Sequence, residues 1–118
     1  MTTRPTPPNV VVHVPDNDRL EAITRNVLNL RVALGSEATI EVVTHGPGLD
    51  LLLPSTDTAI HAGLEGLQAA GIRLVGCRNT LDSRGLSDAA VPPGVRVVPS
   101  GVAHLVHRQQ DGYTYLRP

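Results

Sequence analysis

Apolar residues along this chain follow two alternating rhythms. "NVVVHV", Asn9 to Val14, is a continuous β-branched run closed by Pro15. Such a run predicts a strand covered on both faces, as in a parallel sheet. In "DNDRLEAITRNVLNLRVALG", Leu20, Ile23, Val27, Leu30 and Leu34 recur at steps of three and four. That spacing puts them on one stripe of a helix. Asp18 with Glu21 reads as a capping-box-like start. Gly35 reads as the stop, because Gly tolerates the left-handed conformation past a helix end.

The alternation continues to the end of the chain. "ATIEVVTHG", Ala38 to Gly46, predicts a second strand. "GPGLDLLLPS" reads as a turn into a short apolar segment limited by Pro54; Leu51-Leu52-Leu53 there either close the core or meet another subunit. "STDTAIHAGLEGLQAAG" predicts a second helix with the stripe Ile60, Leu64 and Leu67, an Asp57 N-cap and a stop at Gly71. "IRLVG" is a third strand running into Cys77, and Asn79 to Arg84 a short helix or turn. After a loop ending at Pro92-Pro93-Gly94, "VRVVP", Val95 to Pro99, is a fourth strand. "SGVAHLVHRQQDG" is a helix opened by Ser100 and closed by Gly112, with Val102, Leu105 and Val106 toward the core. "YTYLR", Tyr113 to Arg117, alternates as a fifth, edge strand. Residues 1–8, rich in Thr and Pro, read as a flexible lead-in to a single domain over residues 9–118. The whole order predicts an α/β fold, a mostly parallel sheet with helices on both faces.

Composition narrows the function classes. The 118 residues hold one cysteine, so no internal disulfide can form, which fits a reducing compartment. The N-terminus has no apolar h-region, and no run approaches the ~18 residues of a membrane span. A soluble cytoplasmic protein is therefore expected. The ten basic residues are all Arg and the acids number eleven, with two tyrosines as the only aromatics. A basic footprint and stacking platforms are both missing, which argues against nucleic acid. Without Lys, a Schiff-base lysine mechanism is ruled out. "HGPGLD" lacks the spacing of a phosphate-binding glycine motif.

The reactive side chains gather at predicted strand ends, where open parallel sheets bind ligands. His13 lies near the end of the first strand and His45-Gly46 at the end of the second. Cys77, followed by Arg78, Asn79 and Thr80, ends the third, and Ser100-Gly101 follow the fourth. A thiolate is the nucleophilic form of cysteine, and a helix N-terminus or an adjacent cation favours it. His45 or His13 would serve as base or ion partner, and Arg78 as a fixed cation. The opposing reading makes Cys77 a small core hydrophobe and His13 a hydrogen-bonded core histidine. His61, His104 and His107 read as solvated helix residues. No metal is assigned: His104 and His107 lack further ligands nearby, and nothing in the spacing of His13, His45 and Cys77 specifies a zinc site.

"HVPDNDRLEAITRNVLNL", "IEVVTHGPGLDLLL", "LQAAGIRLVGCRNTL" and "VPSGVAHLVHRQQDGYTYLRP" together resemble the DsrE/DsrF-like family, in particular its small single-domain YchN-like members. The most specific matches are the Cys-x-Asn-Thr turn and the Pro-Ser-Gly-Val turn with its Gln-x-x-Gly-Tyr-x-Tyr ending. The resemblance implies a three-layer α/β/α fold with a five-stranded, largely parallel sheet. It also implies a homo-oligomer, trimer or hexamer. By position Cys77 would accept persulfide sulfur, with His45, Gly46, Asn79, Thr80, Ser100 and Gly101 lining its pocket. Two readings stand. One is a sulfurtransferase-like protein that needs no organic cofactor and works with a sulfur donor or acceptor partner; it requires a depressed thiol pKa and an accessible sulfur. The other is a non-catalytic oligomeric protein that binds a small, anionic ligand, with Cys77 lining the pocket.

Overall fold

The computed structural model describes residues 7–118, so residues 1–6 of the expected lead-in lie outside the described residues. The elements are β1 (Asn9–Val14), α1 (Leu20–Leu34), β2 (Thr39–Thr44), a 3-10 turn (Gly46–Leu51), α2 (Thr58–Ala69), β3 (Arg73–Cys77), α3 (Arg78–Ser83), a second 3-10 turn (Asp88–Ala90), β4 (Arg96–Val98), α4 (Gly101–Gln110) and β5 (Thr114–Leu116). The sheet order is β4-β3-β2-β1-β5, and every neighbouring pair is parallel. The sheet is thus parallel throughout, with β5 at one edge.

The chain direction decides which face each helix covers. From β1 to β4 every step goes the same way across the sheet, so right-handed crossovers put α1, α2 and α3 on one face. The step from β4 to β5 runs back across the sheet, which puts α4 on the other. The core divides accordingly. Val10, Val12, Val14, Ile40 and Val42 pack with Leu20, Val27, Leu67 and Leu81. Val11, Val43, Val75 and Val98 pack with Leu105 of α4. The uninterrupted valines of β1 are explained by this two-sided burial.

Several sequence signals act as read. The Asp57 carboxylate accepts from the backbone N–H of Ala59 (2.9 Å) and Ile60 (3.3 Å), and Ser100 Oγ from that of Ala103 (3.2 Å). Gly35 follows α1 with φ of 91°. The capping box at Asp18 and Glu21 does not form. The helix begins at Leu20, the first buried residue of the stripe, behind Arg19 with no side-chain cap. Packing of Leu20 sets that start, and the first turn closes from Ile23 N–H to the Arg19 carbonyl at 2.9 Å. Leu49, Leu51 and Leu52 are at most 1% exposed. Leu51 and Leu52 of the expected cluster therefore close the core, and the half-buried Leu53 packs against it.

The core face of α4 is rotated from the expected one. Val102 and Val106 are half exposed, while Gly101, His104 and Leu105 are buried. The reason is Glu41, a carboxylate in the middle of β2 that is 1% exposed and lies under α4. Arg108 donates to both its oxygens (Nε to Oε1 3.0 Å, Nη2 to Oε2 3.1 Å), and His104 Nε2 meets Oε1 at 2.5 Å. His104 is thus a buried partner of Glu41, not a solvated residue. Burial pushes the Glu41 carboxyl up, but the bonds from Arg108 and His104 outweigh it and hold it below the ordinary value.

Candidate functional site

A parallel sheet opens a crevice where connections from adjacent strands leave on opposite faces. Here that point lies between β3, which feeds α3, and β4, which feeds α4. The register pairs Cys77 with Val98, so the thiol stands at the carboxyl end of β3 beside this crevice. Strand alternation puts residue 77 on the same face as Val75, under α4. Cys77 Sγ accepts a hydrogen bond from the backbone N–H of Gly101, the first residue of α4, at 3.4 Å.

The sequence reading placed the thiol at the start of the helix that follows it. That helix does begin at Arg78, but the sulfur makes no capping bond to it. The α3 helix departs toward the other face, as the burial of Leu81 among the α1 and α2 residues shows. The 3.4 Å donor comes from α4, and the Thr80 hydroxyl with the amides of Thr80 and Asn79 adds to it from the first turn of α3. Glycine at 101 is what lets α4 approach this closely. A Cβ there would stand 3.1 Å from His45 Cβ and 3.6 Å from Cys77 Cβ.

Two opposing effects act on the thiol. Burial pushes its pKa up; the Thr80 hydroxyl, the Gly101 amide and the Thr80 and Asn79 amides pull it down, and the net direction is down. The thiolate is thus favoured by uncharged donors. Neither histidine bonds the sulfur. Arg78 pairs with Asp88, so its charge is spent away from the sulfur. The expectations of an imidazole partner and an arginine beside the thiol are corrected on this geometry. The expected accessible sulfur is corrected too, because Cys77 is 4% exposed.

The two histidines meet each other instead. His13 and His45 share one sheet face, their Nε2 atoms 2.7 Å apart. The ring centroids are 4.9 Å apart at an interplanar angle of 18°, so the rings meet nearly coplanar and edge to edge. His13 Nδ1 lies 2.7 Å from the Tyr115 hydroxyl. An Nε2 to Nε2 contact holds a single proton, so the pair cannot carry two positive charges without parting. Burial lowers both pKa values; His45 and Arg117 lower that of His13 further, and Asp16 opposes the shift in both.

The remaining candidates fall around Cys77 with separate tasks. Gly46 N–H donates to Thr80 Oγ1 at 2.9 Å, tying the loop after β2 to α3. Asn79 N–H donates to the Pro99 carbonyl at 3.3 Å, joining the ends of β3 and β4. Ser100 is occupied in capping α4. Three residues that sequence reasoning missed hold this rim. Arg84 donates to the Gly46 carbonyl (3.0 Å) and to Asp50 (2.6 Å), and Tyr115 anchors His13. The edge alternation of "YTYLR" was the available signal for Tyr115. Among the described residues no group of three or more His, Cys, Asp or Glu is placed to hold a metal ion, and no helix is long and apolar enough to cross a membrane.

Comparison with known proteins supplies the context. The profile of the DsrE/DsrF-like family matches residues 10–118. A solved structure of a protein of unknown function from Methanobacterium thermoautotrophicum, MTH1491, is similar at 35% identity and a TM-score of 0.84, covering 94% of this chain and 99% of that one. YchN from E. coli superposes with a TM-score of 0.77 at 18% identity, over 94% of this chain and 99% of that one, a likeness of fold. BT1422 from Bacteroides thetaiotaomicron does so at 0.67 and 16% identity, over 93% of this chain and 94% of that one. No curated protein matches the chain significantly.

Proposed function

The chain belongs to the DsrE/DsrF-like family, and from that premise we propose that it handles sulfane sulfur in the cytoplasm, with Cys77 as the persulfide-accepting thiol. The observation that carries this reading is the Gly101 N–H bond to Cys77 Sγ at 3.4 Å, at a thiol whose pKa is lowered despite burial. The Cys77 thiolate would attack the outer sulfur of a donor persulfide. A bond forms between Sγ and that sulfur, the donor S–S bond breaks, and the donor leaves as its thiolate. The proton on the transferred sulfur stays with it, and there is no net oxidation. Delivery to an acceptor thiolate is the same step reversed.

The expected result is alkylation of native Cys77 by iodoacetamide with a pH midpoint below that of an ordinary cysteine. Thr80→Val should move the midpoint up, because it removes the hydroxyl that favours the thiolate. The same change leaves the Gly46 N–H unpartnered, at about 1–2 kcal/mol of stability. Incubation with a persulfide donor should add one sulfur atom to Cys77 by mass spectrometry. A thiol that is labelled only after denaturation would sink the proposal.

The low exposure of Cys77 favours a second reading, a non-catalytic protein whose thiol only lines a ligand pocket. In that case Cys77→Ser leaves ligand binding intact. A homo-oligomer, trimer or hexamer, belongs to either reading. Support comes from Val102 and Val106, which project from the outer side of α4 at 55% and 50% exposure. Light scattering should give an assembly, and a monomer at micromolar concentration would count against it.

A further inference from the structure

A second cleft of about 520 Å³ opens at the amino-terminal end of the sheet, remote in the fold from the strand ends that carry Cys77. Its walls include Ile72, Val75 and Val95, and three arginines, Arg73, Arg96 and Arg108, with Glu41 at its base. The charges do not cancel. Glu41 stands directly opposite Arg73 in the β2–β3 register. Its oxygens are nonetheless bonded by Arg108 and His104, and Arg73 makes no hydrogen bond or ion pair to it. Among the described residues neither Arg73 nor Arg96 has an acidic partner, whereas Arg25, Arg78, Arg84, Arg108 and Arg117 each have one.

The register also sets the spacing of the two arginines. Val75 pairs with Arg96 across β3 and β4, so Arg73 and Arg96 point to one face as diagonal neighbours. Side chains in that relation have Cβ atoms roughly 7 Å apart, within joint reach of one ligand. Two guanidiniums so placed repel unless an anion lies between them, and each presents a planar fork suited to oxyanions. Of the apolar lining, Val75 is 1% exposed, and Ile72 and Val95 pack into the core on the other face of the sheet, so recognition rests on the two guanidiniums.

We propose that this cleft binds a small oxyanion, a phosphate or a carboxylate, held jointly by Arg73 and Arg96. Titration with phenyl phosphate, benzoate and phenol, followed by the Arg Nε–H signals in NMR, tests it. At least one of the two anions should shift the Arg73 and Arg96 signals saturably, and phenol should not. Which anion binds tighter identifies the oxyanion. Both arginines are exposed, so Arg73→Ala/Arg96→Ala should fold normally and weaken binding at least tenfold. Arg73→Lys/Arg96→Lys should fall between, retaining charge without the fork. The Cys77 alkylation profile should be the same in all three chains. Equal affinity in the alanine variant, shifts mapping to other residues, or protection of both arginines by a second copy in solution would overturn the proposal.

Discussion

Glu41→Gln is expected to destabilise the fold by about 3 kcal/mol, because removing one partner of a buried ion pair strands the other. The carboxylate is 1% exposed and carries three hydrogen bonds from α4. Glutamine keeps the shape and one acceptor but puts an NH2 group against donors of Arg108 or His104. For a chain of this size the loss is a fall in Tm of roughly 10 °C. Replacing the set together, as Glu41→Leu, His104→Leu and Arg108→Met, should recover much of it, since an apolar set of similar volume needs no desolvation. A triple variant as unstable as Glu41→Gln would show that the ions themselves are required.

The same carboxylate predicts an acid limit. Its native pKa is held below the ordinary value, so on acidification the unfolded chain takes up the proton first. The stabilisation is complete above the ordinary carboxylate range. It is lost as the pH falls through that range toward the lowered native value. The stability gap between the parent chain and Glu41→Gln should therefore narrow on acidification, as read by denaturant titrations at a series of pH values. A gap that stays constant would place the effect in packing instead.

Gly48→Ala should be comparably damaging for a purely steric reason. A Cβ at residue 48 would stand 1.9 Å from the Val14 carbonyl oxygen and 2.7 Å from its carbon, so backbone has to move. The Gly48 N–H also donates to the carbonyls of Pro15 (3.2 Å) and His45 (3.1 Å). The turn that would shift carries Leu49 and Leu51 into the core. Overpacking of this kind costs about 3 kcal/mol or more when no side chain can yield. Gly66→Ala supplies the contrast. Its new methyl would make an ordinary 3.5 Å contact with Leu28 Cδ1, inside a helix where alanine is preferred by roughly 0.5–1 kcal/mol. Thermal melts should separate the two variants widely; equal Tm values would refute the close approach at Gly48.

The strands, the long helices and the position of Cys77 were legible because they depend on local periodicity. The valines of β1 and the stripe from Leu20 to Leu34 identify their elements without any knowledge of neighbours. The α4 face was not legible from apolar spacing, since its buried side is defined by Glu41, 60 residues and more upstream of His104 and Arg108. A signal existed. A lone acid within "TIEVVT", a run otherwise buried on both faces, calls for a cationic partner, and His104 and Arg108 are one turn apart. The contact of His13 with His45 depends on strand register, and the Gly101 donor on a helix starting from another strand; neither is written in any local pattern.

The placement of β5 has a consequence for the order in which the molecule is completed. Strands β1 to β4 are joined by crossovers between successive elements, so each finds its neighbour soon after it is made. β5 instead pairs with β1, Thr114 beside Val10 and Leu116 beside Val12. During synthesis on the ribosome the first strand keeps a free edge until residues 114–116 have emerged, and a free valine-rich edge is a template for association with other chains. The hydroxyl that anchors His13 arrives on the same three residues. One short strand thus shields the open edge of β1 and finishes the histidine cluster in a single late event.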